Sequence, residues 1–568
     1  MSVEYLAHDQ RPTTQQIIMK KIVIILIITH SLIHSFTHST LAQKPAGEID
    51  SQTFEVEKKK RIELPPANRL YNKVQPAVSA EDNQRMSYEF NPPKLSLGAP
   101  KLTPAVLPVN GDKKKDDEAG NLNNYVKVGA GNYGKLYAET FVGGGSPDLS
   151  YNVHYKHLSN QTGPVDDKNS ATSDNNLALN GIYQANSFKV SGGLNYDREN
   201  YYFYARRNVE KANIRQTLNT IGAQLGFENT NNERLIDYGF KTSIYRLTDN
   251  YKAAETDWAT TFSGSVSILP NFYALVGAAA YVSQRTDAET FGRNLFRVAP
   301  SFKYVNANFT ITAAFKAINE TDDRLKINRT VGFPVVEVDV TPFSGVHIFA
   351  GLDGDISRNT LRSLLGQNRW LAPNVAVANT EKNRDIYGGA KGELGSGFQF
   401  EVKVSYASYK NFYVFNNSWT DTTQFSVLYD ADYINVLAVS GQVGYHYKDI
   451  VRSTLRADVY DYNVKRLEAA WNRPTTTFTW NNSFVFSKKL FATLDLYYLA
   501  GLQAKNFSSN RIVKQKNIAD LNLKVDYLLT RNFSAFVSVN NLLGRSYERY
   551  LYYPQQGLNF LGGLSFSF

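Results

Sequence analysis

The sequence predicts an all-β protein: a transmembrane antiparallel β-barrel of about 22 strands with a disordered or extended N-terminal segment. Three observations predict it. Apolar and polar residues alternate over long runs, short turns take turns with longer excursions, and the chain ends on an amphipathic stretch closing with an aromatic. Successive side chains of a strand point to opposite faces. A run that alternates Leu521, Leu523, Val525 and Tyr527 with Asp520, Asn522, Lys524 and Asp526 therefore has one greasy face and one ionic face. A dry core cannot accept the second face, whereas a membrane barrel with a wet lumen accepts both.

Composition agrees with this reading and removes others. The chain has 568 residues with Gly 37, Tyr 36 and Phe 33, against Met 3 and Cys 0. Aromatics at 13% are what two interfacial girdles require. A mean hydropathy of −0.37 does not speak against a membrane, because only every second strand residue of a barrel meets lipid. Without cysteine there is no disulfide framework and no acylated N-terminal cysteine. The net charge of +10 is spread along most of the chain, which fits an anionic membrane surface better than a nucleic-acid site, so no nucleic-acid partner is expected.

Residues 1–42 form the signal-peptide region. Lys20 and Lys21 precede the apolar run Ile22 to Ile28, and Thr40, Leu41 and Ala42 supply a small-residue cleavage site before Gln43. The apolar run is too short to span a bilayer, and Met19 is the expected natural start. Residues 43–124 hold about half of the prolines, in stretches such as Glu63 to Arg69 and Gly98 to Gly111. Proline removes backbone donors and favours extended chain, so this part reads as a periplasmic or lumen-threading segment. Thr53, Phe54, Glu55, Val56 and Glu57 alternate within it and form a weak candidate strand for edge pairing with a periplasmic partner.

Residues 125–568 read as the barrel. Phe398, Phe400, Val402, Val404 and Tyr406 alternate with Gln399, Glu401, Lys403 and Ser405, and Leu455, Ala457 and Val459 alternate with Arg456 and Asp458, with Arg452 on the same polar parity. The candidate lumen-lining residues are thus Glu401, Lys403, Arg452, Arg456, Asp458, Asp520, Lys524 and Asp526. Tight turns are expected at Gln184 to Ser187, Leu269 to Asn271, Asn306 to Asn308, Phe343 to Gly345, Gly395 to Gly397, Lys448-Asp449, Lys488-Lys489 and Thr530 to Asn532, with looser ones near Gly143 to Asp148 and Asn229 to Glu233. Between them lie polar excursions such as Arg358 to Arg384, Asn416 to Gln424 and Lys505 to Lys514. Short turns face the periplasm and long loops face outward, which gives about 22 strands with both barrel ends at the periplasm. The tyrosine groups Tyr201, Tyr202, Tyr204 and Tyr547, Tyr550, Tyr552, Tyr553 fall near strand ends, at headgroup level or in loop packing. His154 and His157 stand three apart on a strand, point to opposite faces and make no metal pair. No metal and no cofactor are expected, and the scattered histidines support no catalytic grouping, so no enzyme is expected.

In the last stretch, Leu558 to Phe568, Phe560, Leu564, Phe566 and Phe568 share one parity, and Asn559, Gly563, Ser565 and Ser567 the other. This is the pattern of a closing strand. The run from Ser534 to Phe568 resembles the end of TonB-dependent receptors in its Asn-Asn-Leu-Leu segment, Tyr-rich hairpin, Gly-led last strand and final Phe. The resemblance implies 22 strands in the bacterial outer membrane, and makes Gly563, Phe566 and Phe568 the signal read by the barrel-assembly machinery. The plug domain and plug motifs that the family carries are not visible here, which leaves engagement of TonB open. The expected function is passage or uptake of a solute across the outer membrane. The alternative is a non-transporting scaffold subunit that recruits a partner through its N-terminal segment. Expected partners are outer-membrane lipid, the assembly machinery and a periplasmic protein.

Overall fold

The structure, a computed structural model, describes residues 124–568 apart from 166, 206–213, 230–235, 396 and 508. The signal region, nearly all of the Pro-rich segment and Thr53 to Glu57 lie outside the described residues. A single antiparallel sheet of 22 strands closes on itself. Its first strand, Tyr125–Gly131, pairs with its last, Asn559–Ser567, from Tyr125 opposite Ser567 to Gly131 opposite Leu561. Closure satisfies the backbone groups that an open edge would leave bare in lipid.

Each short turn read from the sequence joins neighbouring strands, as Ile434–Tyr447 and Val451–Asn463 are joined at Lys448 to Ile450. Parity decides what each face meets. Val402, Val404 and Tyr406 are 40–45% exposed, whereas Glu401 and Lys403 between them are buried on the opposite face. The exposed apolar parity runs around the sheet as the lipid-facing band. Near the short turns it ends in a girdle of touching rings. Phe188 lies 5.7 Å from Phe227, Phe227 6.0 Å from Tyr238, and Phe272 5.9 Å from Phe302. At the seam Phe566 lies between Phe533, tilted against it at 4.9 Å, and Phe568, stacked on it at 5.8 Å.

The seam explains the glycine-led last strand. Phe536, Gly563, Gly129 and Tyr137 follow one another in register across four adjacent strands. The Phe536 ring lies over both glycines and meets Tyr137 edge-on at 6.0 Å, with Leu158 and Leu561 completing a small core. A Cβ at Gly563 would stand 2.1 Å from the Val128 carbonyl oxygen and 2.5 Å from the Phe536 ring. Leu561, the apolar residue on the polar parity of the last strand, is buried in this core. On the same face Lys127 sits 4.1 Å above the Phe536 ring and reaches Asp526 at 3.3 Å.

The outward connections differ from the polar excursions expected. They carry secondary structure of their own: the hairpins Phe412–Asn417 with Phe425–Asp430 and Gln503–Asn506 with Arg511–Lys514, the short pair Glu548–Tyr550 with Tyr553–Pro554, and the helix Leu361–Leu365. The connection read as Arg358 to Arg384 ends earlier, because Thr380–Leu394 is already a barrel strand.

Candidate functional site

The candidate site is the outward mouth of the barrel. Loop backbone can be buried only if its polar groups find partners. The connection over residues 358–379 finds them on strand ends around the barrel. Arg358 grips Asp257 with both terminal nitrogens, at 2.7 and 2.8 Å. The amides of Leu361 and Arg362 donate to Glu255 at 2.7 and 3.1 Å. Arg293 donates to the Asn359 carbonyl and to Asn379, each at 2.8 Å, while Arg285 donates to the Val375 carbonyl at 2.8 Å. Thr360 caps the helix in a reciprocal box with Ser363.

With its backbone satisfied, the connection contributes Leu361, Leu364, Leu365, Trp370, Leu371, Val375 and Val377 to one apolar core. Further members come from far around the circumference, among them Tyr201 and Phe203, Leu247 and Ala253, Tyr413, Phe415, Phe425 and Val427, and Tyr550 with Tyr553. Loops rooted in the early, middle and last strands can meet in one core only across the mouth. Trp370 lies at the centre, stacked on Tyr553 at 4.0 Å, edge-on to Tyr204 at 5.7 Å and to Tyr550 at 6.3 Å. Its indole N–H donates to the Tyr202 carbonyl at 3.1 Å.

The tyrosine groups therefore serve loop packing and not a headgroup belt. Tyr201 and Tyr553 are fully buried, and their hydroxyls donate to the Arg369 and Thr423 carbonyls. Burial drives the Tyr553 hydroxyl well above its ordinary range. Burial alone would lower Arg369, but Asp174 and Glu199 hold its guanidinium above its usual value.

A second tie joins the loops over 411–433 and 464–475. Asp430 is buried and accepts the amides of Lys465 at 2.8 Å, Arg466 at 2.9 Å and Leu467 at 3.3 Å. Burial pushes its carboxyl up, and the backbone donors more than offset this, leaving it below the usual carboxylate range.

The residues singled out from sequence lie elsewhere, on the wall. Lys524 and Asp526 form an ion pair at 3.0 Å, next to Lys127 at the seam. Arg456 pairs with Asp458 at 2.7 Å, and Thr477 also donates to Asp458. Lys403 lies 4.1 Å over the Tyr387 ring, and Glu401 is buried on the same strand. Arg452 is exposed near the short turn. Asp520 stands at the outward end, where it accepts the hydroxyl of Tyr547 from the last loop. His154 meets Glu139 at 2.8 Å, and His157 meets Asn175 and Ser159, so the two bond to different partners on opposite faces. Gly563 is locked under Phe536, and Phe566 and Phe568 stand exposed in the girdle.

The loop core itself was missed by sequence reasoning. One local signal marked it: Thr360 as a cap, then Leu361, Leu364 and Leu365 at helical spacing, inside a stretch otherwise read as polar.

Searches of protein-family models and of curated proteins return no match to this chain. Solved structures do match. The FrpB iron transporter of Neisseria meningitidis aligns with a TM-score of 0.62 at 10% identity, over 78% of this chain and 82% of that one. The ferric-catecholate import receptor Fiu of E. coli K12 aligns at 0.59 and 8%, over 78% and 81%. The ferripyoverdine receptor of the Pseudomonas aeruginosa outer membrane aligns at 0.56 and 12%, over 78% and 71%. At these identities the likeness is one of fold, and the fold is that of the TonB-dependent receptor barrels of the outer membrane. No plug domain is evident among the described residues.

Proposed function

We propose that this outer-membrane barrel takes up a solute, and that entry is controlled at the outward mouth by the loop core around Trp370. The observation that carries the reading is the meeting of loops from all around the barrel in one buried aromatic core. A barrel of 22 strands is wide enough to need occlusion, and a packed core at one end supplies a barrier. The matched proteins, named as an iron transporter, an import receptor and a ferripyoverdine receptor, support uptake as the class of activity.

Glu401, Lys403, Arg452, Arg456, Asp458, Asp520, Lys524 and Asp526 would line the path. Half of them are held in ion pairs, Arg456 with Asp458 and Lys524 with Asp526, so they set a wet and weakly selective wall and not a binding site. Gly563, Phe566 and Phe568 would be read by the assembly machinery. Residues 43–124 would hang below or thread the lumen, with Thr53 to Glu57 offered to a periplasmic partner, TonB among them. No observation among the described residues favours the scaffold alternative.

The test is conductance of the full-length protein in planar bilayers, with and without residues 44–124 and with and without residues 361–377. Shortening the outward connection should raise conductance. If every form stays silent and the protein instead copurifies with a stable partner, the uptake reading fails.

A further inference from the structure

Among the described residues, two of the barrel's buried arginines are neutralised by carboxylates and two are not. Four arginines are buried: Arg285, Arg293, Arg473 and Arg549. Arg285 pairs with Asp287, and Arg293 pairs with Asp322 at 2.8 Å. Arg473 and Arg549 have no carboxylate within salt-bridge reach among the described residues. They are also neighbours at the outward end. Arg549, from the last loop, donates through Nη1 to the Asn472 carbonyl at 3.0 Å, and Arg473 follows Asn472 directly in the chain. Arg473 donates through Nη2 to the Tyr413 carbonyl at 2.7 Å.

The surroundings hold both guanidiniums in place without cancelling them. Arg473 lies 4.6 Å over the Tyr413 ring and 5.3 Å over Phe412, and Arg549 lies 4.9 Å over Tyr550. The Nε of each is buried with no hydrogen-bond partner. Nearby acids are engaged elsewhere: Asp458 with Arg456, and Glu468 with Lys505 at 2.7 Å. Burial lowers the Arg549 guanidinium from its usual value, and the charge of Arg473 lowers it further. Two like charges removed from water together are unfavourable unless a counter-charge arrives. The side-on edge of a guanidinium, Nε with one Nη, is the fork that grips carboxylate or phosphate oxygens, and Arg549 leaves this edge unbonded.

We propose that Arg473 and Arg549 form an anion site at the outward end of the barrel, filled by the carboxylate or phosphate groups of a polyanionic solute. The site rests on the uptake reading for its purpose, because it names the class of solute that the mouth would admit. Both arginines contact the loop core: Arg473 through Tyr413, and Arg549 through the adjacent Tyr550. An anion bound there would touch the groups that hold the mouth closed.

The test uses the full-length protein in detergent micelles and in liposomes. Thermal unfolding and calorimetric titration are followed with citrate, with inorganic phosphate and with a neutral sugar at constant ionic strength. Citrate or phosphate should raise the wild-type melting temperature saturably, the better of the two identifying carboxylate or phosphate chemistry, and the sugar should do nothing. Arg473→Gln and Arg549→Gln should each weaken binding about tenfold, as expected for loss of a charge-assisted hydrogen bond. Neither should melt below wild type in anion-free buffer, since each removes an uncompensated charge. Arg549→Lys, which keeps the charge and loses the fork, should bind at an intermediate level. No anion-dependent shift in wild type, or an equal shift in the Gln variants, overturns the site and leaves the arginines as clamps between loops. Bilayer conductance is read in parallel. Binding without conductance leaves the site standing and sinks the uptake reading, whereas conductance without an anion-dependent shift sinks the site alone.

Discussion

Trp370→Ala tests whether the loop core is the barrier. The indole is buried, stacks on Tyr553 at 4.0 Å and meets two further tyrosines edge-on. Truncating a buried tryptophan costs about 3–5 kcal/mol, since transfer energy and cavity add. The hydrogen bond to the Tyr202 carbonyl is lost as well, leaving that acceptor buried. At about 1.4 kcal/mol per factor of ten, the ratio of closed to open mouth should fall roughly 100- to 3,000-fold. In single-channel recordings this appears as frequent openings where the wild type is silent. Trp370→Phe keeps one ring and loses the pyrrole half of the indole with its N–H, so it should open more often than wild type and less often than Trp370→Ala. Far-UV spectra and heat-modifiable migration should show the barrel intact in both variants. If Trp370→Ala melts its loops at lower temperature and still conducts no more than wild type, the core is structural and the barrier lies elsewhere.

Gly563→Val places side-chain atoms where the Val128 carbonyl and the Phe536 ring already stand, at 2.1 and 2.5 Å from a Cβ. Because one of these is backbone, the seam must open. We expect a cost at or above the 1–3 kcal/mol of ordinary overpacking, read as a lower unfolding temperature on heat-modifiable gels, with Phe536→Ala/Gly563→Val partly restored. Asp430 gives a pH signature. Its carboxyl is held below the usual range, so its contribution is full above the unfolded value near 4 and is lost as pH falls through the folded value. Protease cleavage in the loops over 411–433 and 464–475 should stay slow from neutral pH down to about 4 and rise below it, and Asp430→Asn should remove that dependence. Arg358→Ala strands the buried carboxylate of Asp257 and should cost about 3–5 kcal/mol, whereas Arg358→Met with Asp257→Asn should recover most of it, as measured in a double-mutant cycle of thermal unfolding.

The barrel wall was legible because its rule is local. A period of two sorts Leu521, Leu523 and Val525 from Asn522, Lys524 and Asp526 with no knowledge of what lies opposite, and turn residues mark where each strand stops. Closure was legible at Phe566 and Phe568 for the same reason. The role of Gly563 was only half legible, because the ring that demands it, Phe536, sits on the neighbouring strand. The mouth was illegible for a stronger reason. Its apolar residues keep no sustained period, and their partners lie far along the chain. Tyr201 bonds Arg369 across 168 positions, and Tyr550 bonds Gln367 across 183. Tyrosines at strand ends read equally well as a headgroup belt until the loops that cover them are placed.

A mouth closed by a packed core raises the question of what opens it, since a solute can shift this equilibrium only through tighter binding to the open state. Taking a mouth from about 1% to 99% open needs a differential of roughly 5.5 kcal/mol. Hydrogen bonds to charged groups contribute about 1.5–3 kcal/mol each, so one guanidinium falls short and two come near the requirement. Arg473 and Arg549 supply two, each lying over a tyrosine that a different loop gives to the core, Tyr413 and Tyr550. If the open mouth is the form in which both forks are reachable, a solute bearing several anionic groups opens it, and one bearing a single group does not. Citrate and acetate at equal ionic strength separate these cases in wild-type bilayer recordings. Citrate should produce openings that acetate does not, and Arg549→Gln should abolish the difference. Equal responses to the two anions would refute the coupling between the arginine pair and the mouth, even if both anions bind.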